Sequence, residues 1–303
     1  LGVPNSAIEV SQVSKRFGRG APVLKNISVN IEPGEMVALI GASGSGKSTL
    51  IRSIAGLTPI DAASDGRIQI FDQAMQSRGR VTSDAGALRA RVGVIFQQFN
   101  LVSRLPVLTN VLLGLLGQIP RWRGSLGRFT HDERQRAMHA LERVGIAEHA
   151  LKRGSELSGG QQQRAAIART LLQGADVLLA DEPIASLDPS SARRVMDILH
   201  ELNRSEGITV LTSLHQVEYA MHYCPRTVAL RSGEIVYDGP SSSLTSGFLG
   251  ELYGDESKEL FLPGVDETRA ADPHRPALVP ARTLPRTSAG KSAERGMAVA
   301  LRA

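Results

Sequence analysis

Gly41, Gly44 and Gly46 lead into Lys47 and Ser48 in the stretch VALIGASGSGKSTLI, residues 37–51. The order fits G-x-x-x-x-G-K-S, a loop whose bare amides can wrap a phosphate because no Cβ blocks the approach. Lys47 has the charge and reach for β- and γ-phosphates, and the Ser48 hydroxyl is a ligand for Mg²⁺. Ser43, Ser45 and Thr49 complete the polar run of this candidate ATP-binding loop. A second candidate is the carboxylate pair Asp181 and Glu182, which ends the apolar run 177–180. An acid at such a strand end can hold the shell of a Mg²⁺ ion. Asp181 would take that part, leaving Glu182 to polarise an attacking water as general base. The plainer readings are a glycine-rich turn and two solvated acids, but Lys47 and Ser48 stand where phosphate chemistry needs them.

A third stretch, ELSGGQQQR at 156–164, raises a question. Ser158, Gly159 and Gly160 ahead of an apolar-periodic run could also present amides and a helix N-terminus to an anion. The chain already owns a better phosphate loop upstream, so a second one asks for a second phosphate.

With these motifs in this order, the chain resembles the ATPase subunits of ABC transporters, over roughly residues 8–244. The resemblance implies an α/β P-loop NTPase fold: a parallel-sheet core, an N-terminal antiparallel β subdomain and a helical subdomain at about 101–160, within a domain spanning 1–254. It implies ATP and Mg²⁺, and it answers the question above. In the family, two subunits stack head to tail, so LSGGQ at 157–161, which matches the family's signature sequence, would bring Ser158, Gly159, Gly160 and Gln161 against ATP held by the partner's P-loop. Phe17, which alone would read as core, matches the aromatic that stacks on adenine. Gln97 matches the glutamine that touches Mg²⁺ and senses the membrane partner, with Gln98 beside it. Ser186, Leu187 and Asp188 match the loop that communicates across the dimer. His215, alone a strand-end histidine, matches the switch residue near the γ-phosphate.

The segment GQIPRWRGSLGRF, with FQQFNLVSRLPVLTNV and LHQV, is similar to ATPases of bacterial phosphonate importers, although polar amino-acid importers share much of this wording. The implied partners are a second copy of the chain, integral-membrane permease subunits and an extracytoplasmic solute-binding protein. The implied place is the cytoplasmic face of the cell membrane.

Elements must position these residues. Residues 37–40 and 177–180 read as buried strands, as do 67–71 and 92–96, and 8–31 reads as strands with turns. From 101 to about 153 the apolar spacing turns helical, and a helix is expected behind the signature at 161–172. The segment GQIPRWRGSLGRF reads either as a solvated loop anchored by Trp122 or as a contact with the membrane subunit. A hydrophobic content of 42% supports an aliphatic core, and the longest apolar stretch, near 107–119, is too short to cross a bilayer. No basic segment with a following apolar run opens the sequence, so no secretory signal is expected. The single cysteine, Cys224, excludes an intramolecular disulfide and reads as a buried inert thiol, which suits a reducing compartment. Pro, Ala, Arg, Ser and Thr dominate the end of the chain, and 255–303 is expected to be a disordered tail. From Gly264 onward it carries seven Lys or Arg against four Asp or Glu, which is three of the five net positive charges. The rest of the chain therefore lacks the electrostatic footprint of a nucleic-acid binder.

Two other functions fit the sequence less well. A DNA- or ribosome-acting relative would need a long heptad insert or two units in one chain, and neither is present. A binding module that never hydrolyses ATP fits poorly with both Glu182 and His215 in place.

Overall fold

The computed structural model describes residues 6–98 and 100–254, all within the unit Leu1–Phe261; the expected tail lies outside the described residues. The chain opens with β1 (Ile8–Arg16), β2 (Pro22–Ile31), β3 (Met36–Ile40) and helix α1 (Lys47–Ile54). Next come β4 (Arg67–Ile70), β5 (Gln73–Ser77), β6 (Arg80–Val81), α2 (Ala85–Ala90) and β7 (Val92–Ile95). A helical block holds α3 (Val107–Leu112), α4 (Arg121–Ser125), α5 (His131–Arg143) and α6 (Gly159–Gln173). Strand and helix then alternate through β8 (Val177–Asp181), α7 (Pro189–Glu206), β9 (Thr209–Ser213), α8 (Val217–Tyr223) and β10 (Arg226–Arg231). Strand β11 (Glu234–Pro240) and helix α9 (Ser246–Tyr253) complete the described part.

Every residue of β3, β8 and β9 is buried, as expected of parallel strands covered on both faces. They belong to a six-stranded sheet of order β11-β10-β3-β9-β8-β7, parallel from β10 to β7 with β11 as an antiparallel edge. Alternation along β3 sends Met36, Ala38 and Ile40 into one core and Val37 and Leu39 into another. The first core is filled by the helical side, with Leu141 of α5, Ile167 of α6 and Leu199 of α7. The second is filled by Leu50, Ile51 and Ile54 of α1 and by Ile8, Ile27 and Ile31 of an antiparallel sheet, order β2-β1-β4-β5-β6. Register decides where function can collect. Leu39 and Asp181 both pair with Ser213, and Ile95 pairs with Ala180. The segments after β3, β7, β8 and β9 therefore leave from one edge, the edge at which open α/β sheets bind ligands.

Several local expectations change. Strands β5 and β6 and helix α2 had no sequence signal. The β4–β5 turn is made by Phe71 and Asp72 and the β5–β6 turn by Arg78 and Gly79, all with positive φ. Tight hairpin turns require that conformation, but Phe71 and Arg78 do not advertise it as Asn-Gly would. The helix behind the signature begins at Gly159 rather than Gln161, with Ser158 as its N-cap. Trp122 does not anchor its segment. It is 60% exposed on the short helix α4, and the anchor is instead Arg123, whose guanidinium reaches Glu133 at 2.6 Å. Cys224 is buried, and desolvation pushes its thiol up to about 12, which keeps it out of thiolate chemistry. Among the described residues no helix is long and apolar enough to cross a membrane.

Candidate active site

The loop between β3 and α1 is shaped by close approach. Gly41 has φ 146°, and a Cβ there would lie 2.1 Å from the Leu230 carbonyl oxygen of β10. Only glycine fits, so the chain leaves the sheet tightly enough to curl back over the start of α1, where Gly46 is the N-cap. The loop amides and the positive end of α1 converge there, the arrangement that holds anions. Lys47 is buried, and its Nζ donates to the carbonyls of Gly41 at 2.6 Å and Ala42 at 3.2 Å. Its ammonium is thus held under the arch of the loop. The Gly41 amide also donates to Tyr253 Oη, at 3.3 Å, so α9 braces the loop from far along the chain.

Ser48, one residue further, points at the neighbouring strand end. Its hydroxyl donates to Asp181 Oδ1 at 2.8 Å, and Ser213 Oγ donates to the same oxygen at 3.1 Å. Arg52 Nη2 stands 3.9 Å from Asp181 Oδ2. The Ser213 hydroxyl also accepts from the Glu182 amide at 2.8 Å. This bond helps hold Glu182 at φ 52°, a left-handed conformation a non-glycine residue rarely takes. The turn aims Glu182 Oε1 at His215 Nε2, 2.6 Å away. The hydrogen bond from His215 holds the Glu182 carboxyl below its usual range; burial opposes this, and the charges of His215 and Lys47 add to it. One chain of contacts therefore runs from Ser48 through Asp181, Ser213 and Glu182 to His215. Residues 133 positions apart meet because three parallel strands end in register.

The remaining sequence candidates lie around this centre or away from it. Gln97 and Gln98 are exposed in the turn after β7, on the same edge of the sheet. Ser186 and Leu187 lie close to Glu182 and His215, across a cavity of about 90 Å³. Asp188 caps α7, accepting from the amides of Ser190 and Ser191. Hydrogen bonds from Ser190, then Ser191, hold its carboxyl far below the usual range. Phe17 is 55% exposed, not core, with the Lys15 ammonium 5.1 Å from its ring centroid.

Ser158 and Gln161 form a capping box at the head of α6, and none of their hydrogen bonds reaches residues 41–49. Gly160 is pressed against α7, since a Cβ there would meet the Ser191 hydroxyl at 2.7 Å. The turn at Ser158–Gly160 and the cap of α7 are thus neighbours. Sequence reasoning missed Ser213, Arg52 and Tyr253. Ser213 had one available signal, its place two residues before His215 at the end of an apolar run.

Comparison with known proteins agrees with this architecture. The description "ABC transporter" belongs to the family whose profile matches residues 24–185. The phosphonates import ATP-binding protein PhnC of Stutzerimonas stutzeri is 56% identical over 275 residues, covering 91% of this chain and 99% of that protein. A phosphonates import ATP-binding protein of Pseudomonas syringae pv. syringae is 58% identical over 253 residues, covering 84% of this chain and 91% of that protein. Among solved structures, the dimeric ATP-binding cassette MJ0796, in a post-hydrolysis state with ADP and Pi, superposes with TM-score 0.68. It is 31% identical and covers 78% of this chain and 100% of that one. The profile match and the near-full-length relatives carry the assignment: this chain belongs to the ABC transporter family and is an ATP-binding, ATP-hydrolysing subunit of it.

Proposed function

We propose that this ATPase powers a bacterial importer of phosphonate or a related small anion, as a head-to-tail dimer on the cytoplasmic face of the membrane. The observation that carries the mechanism is the contact chain Ser48–Asp181–Ser213–Glu182–His215. The solute class is supported by the import proteins named above, matched over nearly their whole length. The catalytic domain is residues 1–254, with the helical subdomain at about 101–160 set against permease subunits. A solute-binding protein delivers the cargo outside.

Lys47 and the loop amides from Gly41 to Thr49 bind the phosphates of ATP, and the exposed ring of Phe17 stacks on adenine. Ser48 and Asp181 fit Mg²⁺: they are two hard oxygen donors already within 2.8 Å of each other. Gln97 is the third candidate for that ion. Held by these residues, the ion would supply positive charge against the negative charge that develops on the phosphates. Glu182 takes the proton of the attacking water. In the described conformation His215 occupies its carboxylate and weakens it as a base. When His215 turns to the γ-phosphate, that hydrogen bond is lost and the proton affinity of Glu182 rises where the water must be activated. Ser158, Gly159, Gly160 and Gln161 contact the partner's γ-phosphate, and Ser186, Leu187 and Asp188 relay closure across the interface. Hydrolysis removes the phosphate that joins the two subunits, and opening resets the permease.

A mixing experiment tests the shared site. Ser158→Arg keeps its own phosphate loop but places a bulky cation where the partner's γ-phosphate belongs, so alone it fails to dimerise on ATP. Lys47→Ala has the opposite defect. Mixed, the two chains form one whole composite site and one doubly broken site, and ATP-dependent pairing measured by light scattering returns. Normal dimerisation and hydrolysis by Ser158→Arg alone would sink the trans reading. The solute is tested by growth: cells lacking this subunit are expected to lose growth on a phosphonate as sole phosphorus source while growing normally on phosphate. Undiminished growth on the phosphonate assigns another cargo.

A further inference from the structure

We propose that His149 is a positioning residue for the signature turn, bracing Gln161 through a hydrogen bond that exists only while its imidazole is neutral. The inference rests on the reading of Ser158–Gln161 as a contact for the partner's γ-phosphate. The Ser158 amide donates to Gln161 Oε1 at 2.9 Å, and the Gln161 amide donates back to Ser158 Oγ at 3.4 Å. The first bond fixes the orientation of the Gln161 side chain, with Oε1 toward Ser158 and Nε2 turned away. That Nε2 lies 2.8 Å from His149 Nε2. An amide NH₂ only donates, so His149 Nε2 must accept, which requires the neutral ring with its proton on Nδ1. Flipping the amide would set its NH₂ against the Ser158 amide and break the cap.

His149 sits in the turn after α5, with its side chain 15% exposed. Its Nδ1 is buried without a hydrogen-bond partner among the described residues. The ring therefore spends its accepting nitrogen on Gln161. Protonation turns that nitrogen into a donor facing a donor. The charged ring has an alternative partner on its own turn, the exposed carboxylate of Glu148, whose Oε1 is 3.5 Å from His149 Nε2. The other charged groups around the turn include Lys152, whose amide donates to the His149 carbonyl at 3.0 Å, Arg153 beside it, Arg164 of α6 and Arg194 of α7. Arg164 donates to the carbonyls of Val144 and Gly145, and its charge is coupled to Glu148 and Arg194. The neutral ring braces Gln161, which holds the Ser158 amide in the cap. The protonated ring turns to Glu148 and releases that brace.

ATP-dependent pairing and hydrolysis by the full chain, followed between about pH 5 and pH 8 where histidines change charge, test this. His149→Phe removes the acceptor and should weaken pairing about fivefold to tenfold at neutral pH, the effect of one neutral hydrogen bond. ATP affinity of the single chain's own loop should stay unchanged. His149→Gln supplies an acceptor that does not titrate. It should pair like the native chain at neutral pH and better than it in acid, so the native-to-variant ratio falls as pH falls. All groups other than residue 149 are common to both chains and cancel in the ratio. Parallel pH profiles of the native chain and His149→Gln overturn the proposal, as does native pairing by His149→Phe. If His149→Phe fails to fold, the pH ratio decides. Ser158→Arg run alongside separates the two readings. Its normal activity removes the trans contact itself, whereas its failure beside His149 variants that match the native chain at every pH removes only this inference.

Discussion

Glu182→Gln lowers ATP turnover at least about 100-fold, equal to about 2.7 kcal/mol of barrier, while ATP still binds. The substitution keeps shape and an acceptor for His215 Nε2, so what it removes is negative charge and basicity. Because binding survives and hydrolysis does not, ATP should trap a closed dimer that elutes early in size exclusion. The pH dependence has a defined sign. The hydrogen bond from His215 depresses the Glu182 carboxyl, so its contribution to stability is present above the ordinary carboxylate range and is lost only as pH falls through the lowered value. The base form persists through mild acid while His215 holds the carboxyl; once His215 turns to the γ-phosphate that depression is lost, so turnover should begin to fall at a higher pH than this stability contribution does. Turnover near the native level would move the base elsewhere, with His215 next to be replaced.

Lys47→Ala removes ATP binding, with affinity reduced at least about 100-fold, or about 2.7 kcal/mol. Hydrogen bonds to charged groups contribute about 1.5–3 kcal/mol each, and this ammonium is the loop's own cation for the β- and γ-phosphates. In the described conformation Lys47 also bonds the carbonyls of Gly41 and Ala42, so the variant loop is less tied. Cooperative thermal unfolding separates the two effects: a folded chain with no nucleotide affinity is the expected result. A titration showing native affinity would mean that this loop is not the site.

Much of the site was legible because its chemistry depends on consecutive residues. The turn at Gly41 through Ser48 follows from where glycine is tolerated and where a lysine must stand. The buried strands at 177–180 and 37–40 follow from unbroken apolar runs. The head-to-tail role proposed for Ser158–Gln161 came from resemblance, not from local physics, and the side-chain hydrogen bonds of Ser158 and Gln161 within one chain go to each other and to His149.

What stayed hidden in the sequence were contacts across distance. Ser213 looks like an ordinary strand-end hydroxyl until β8 and β9 pair in register and place it between Asp181 and the Glu182 amide, 32 and 31 positions away. Tyr253 meets the Gly41 amide across 212 positions, and His149 meets Gln161 only after the turn behind α5 packs on the head of α6. A loop's shape is written in the backbone preferences of its own residues. The partner of a side chain is decided by strand register and helix packing, which the burial of two whole cores sets and no short stretch contains.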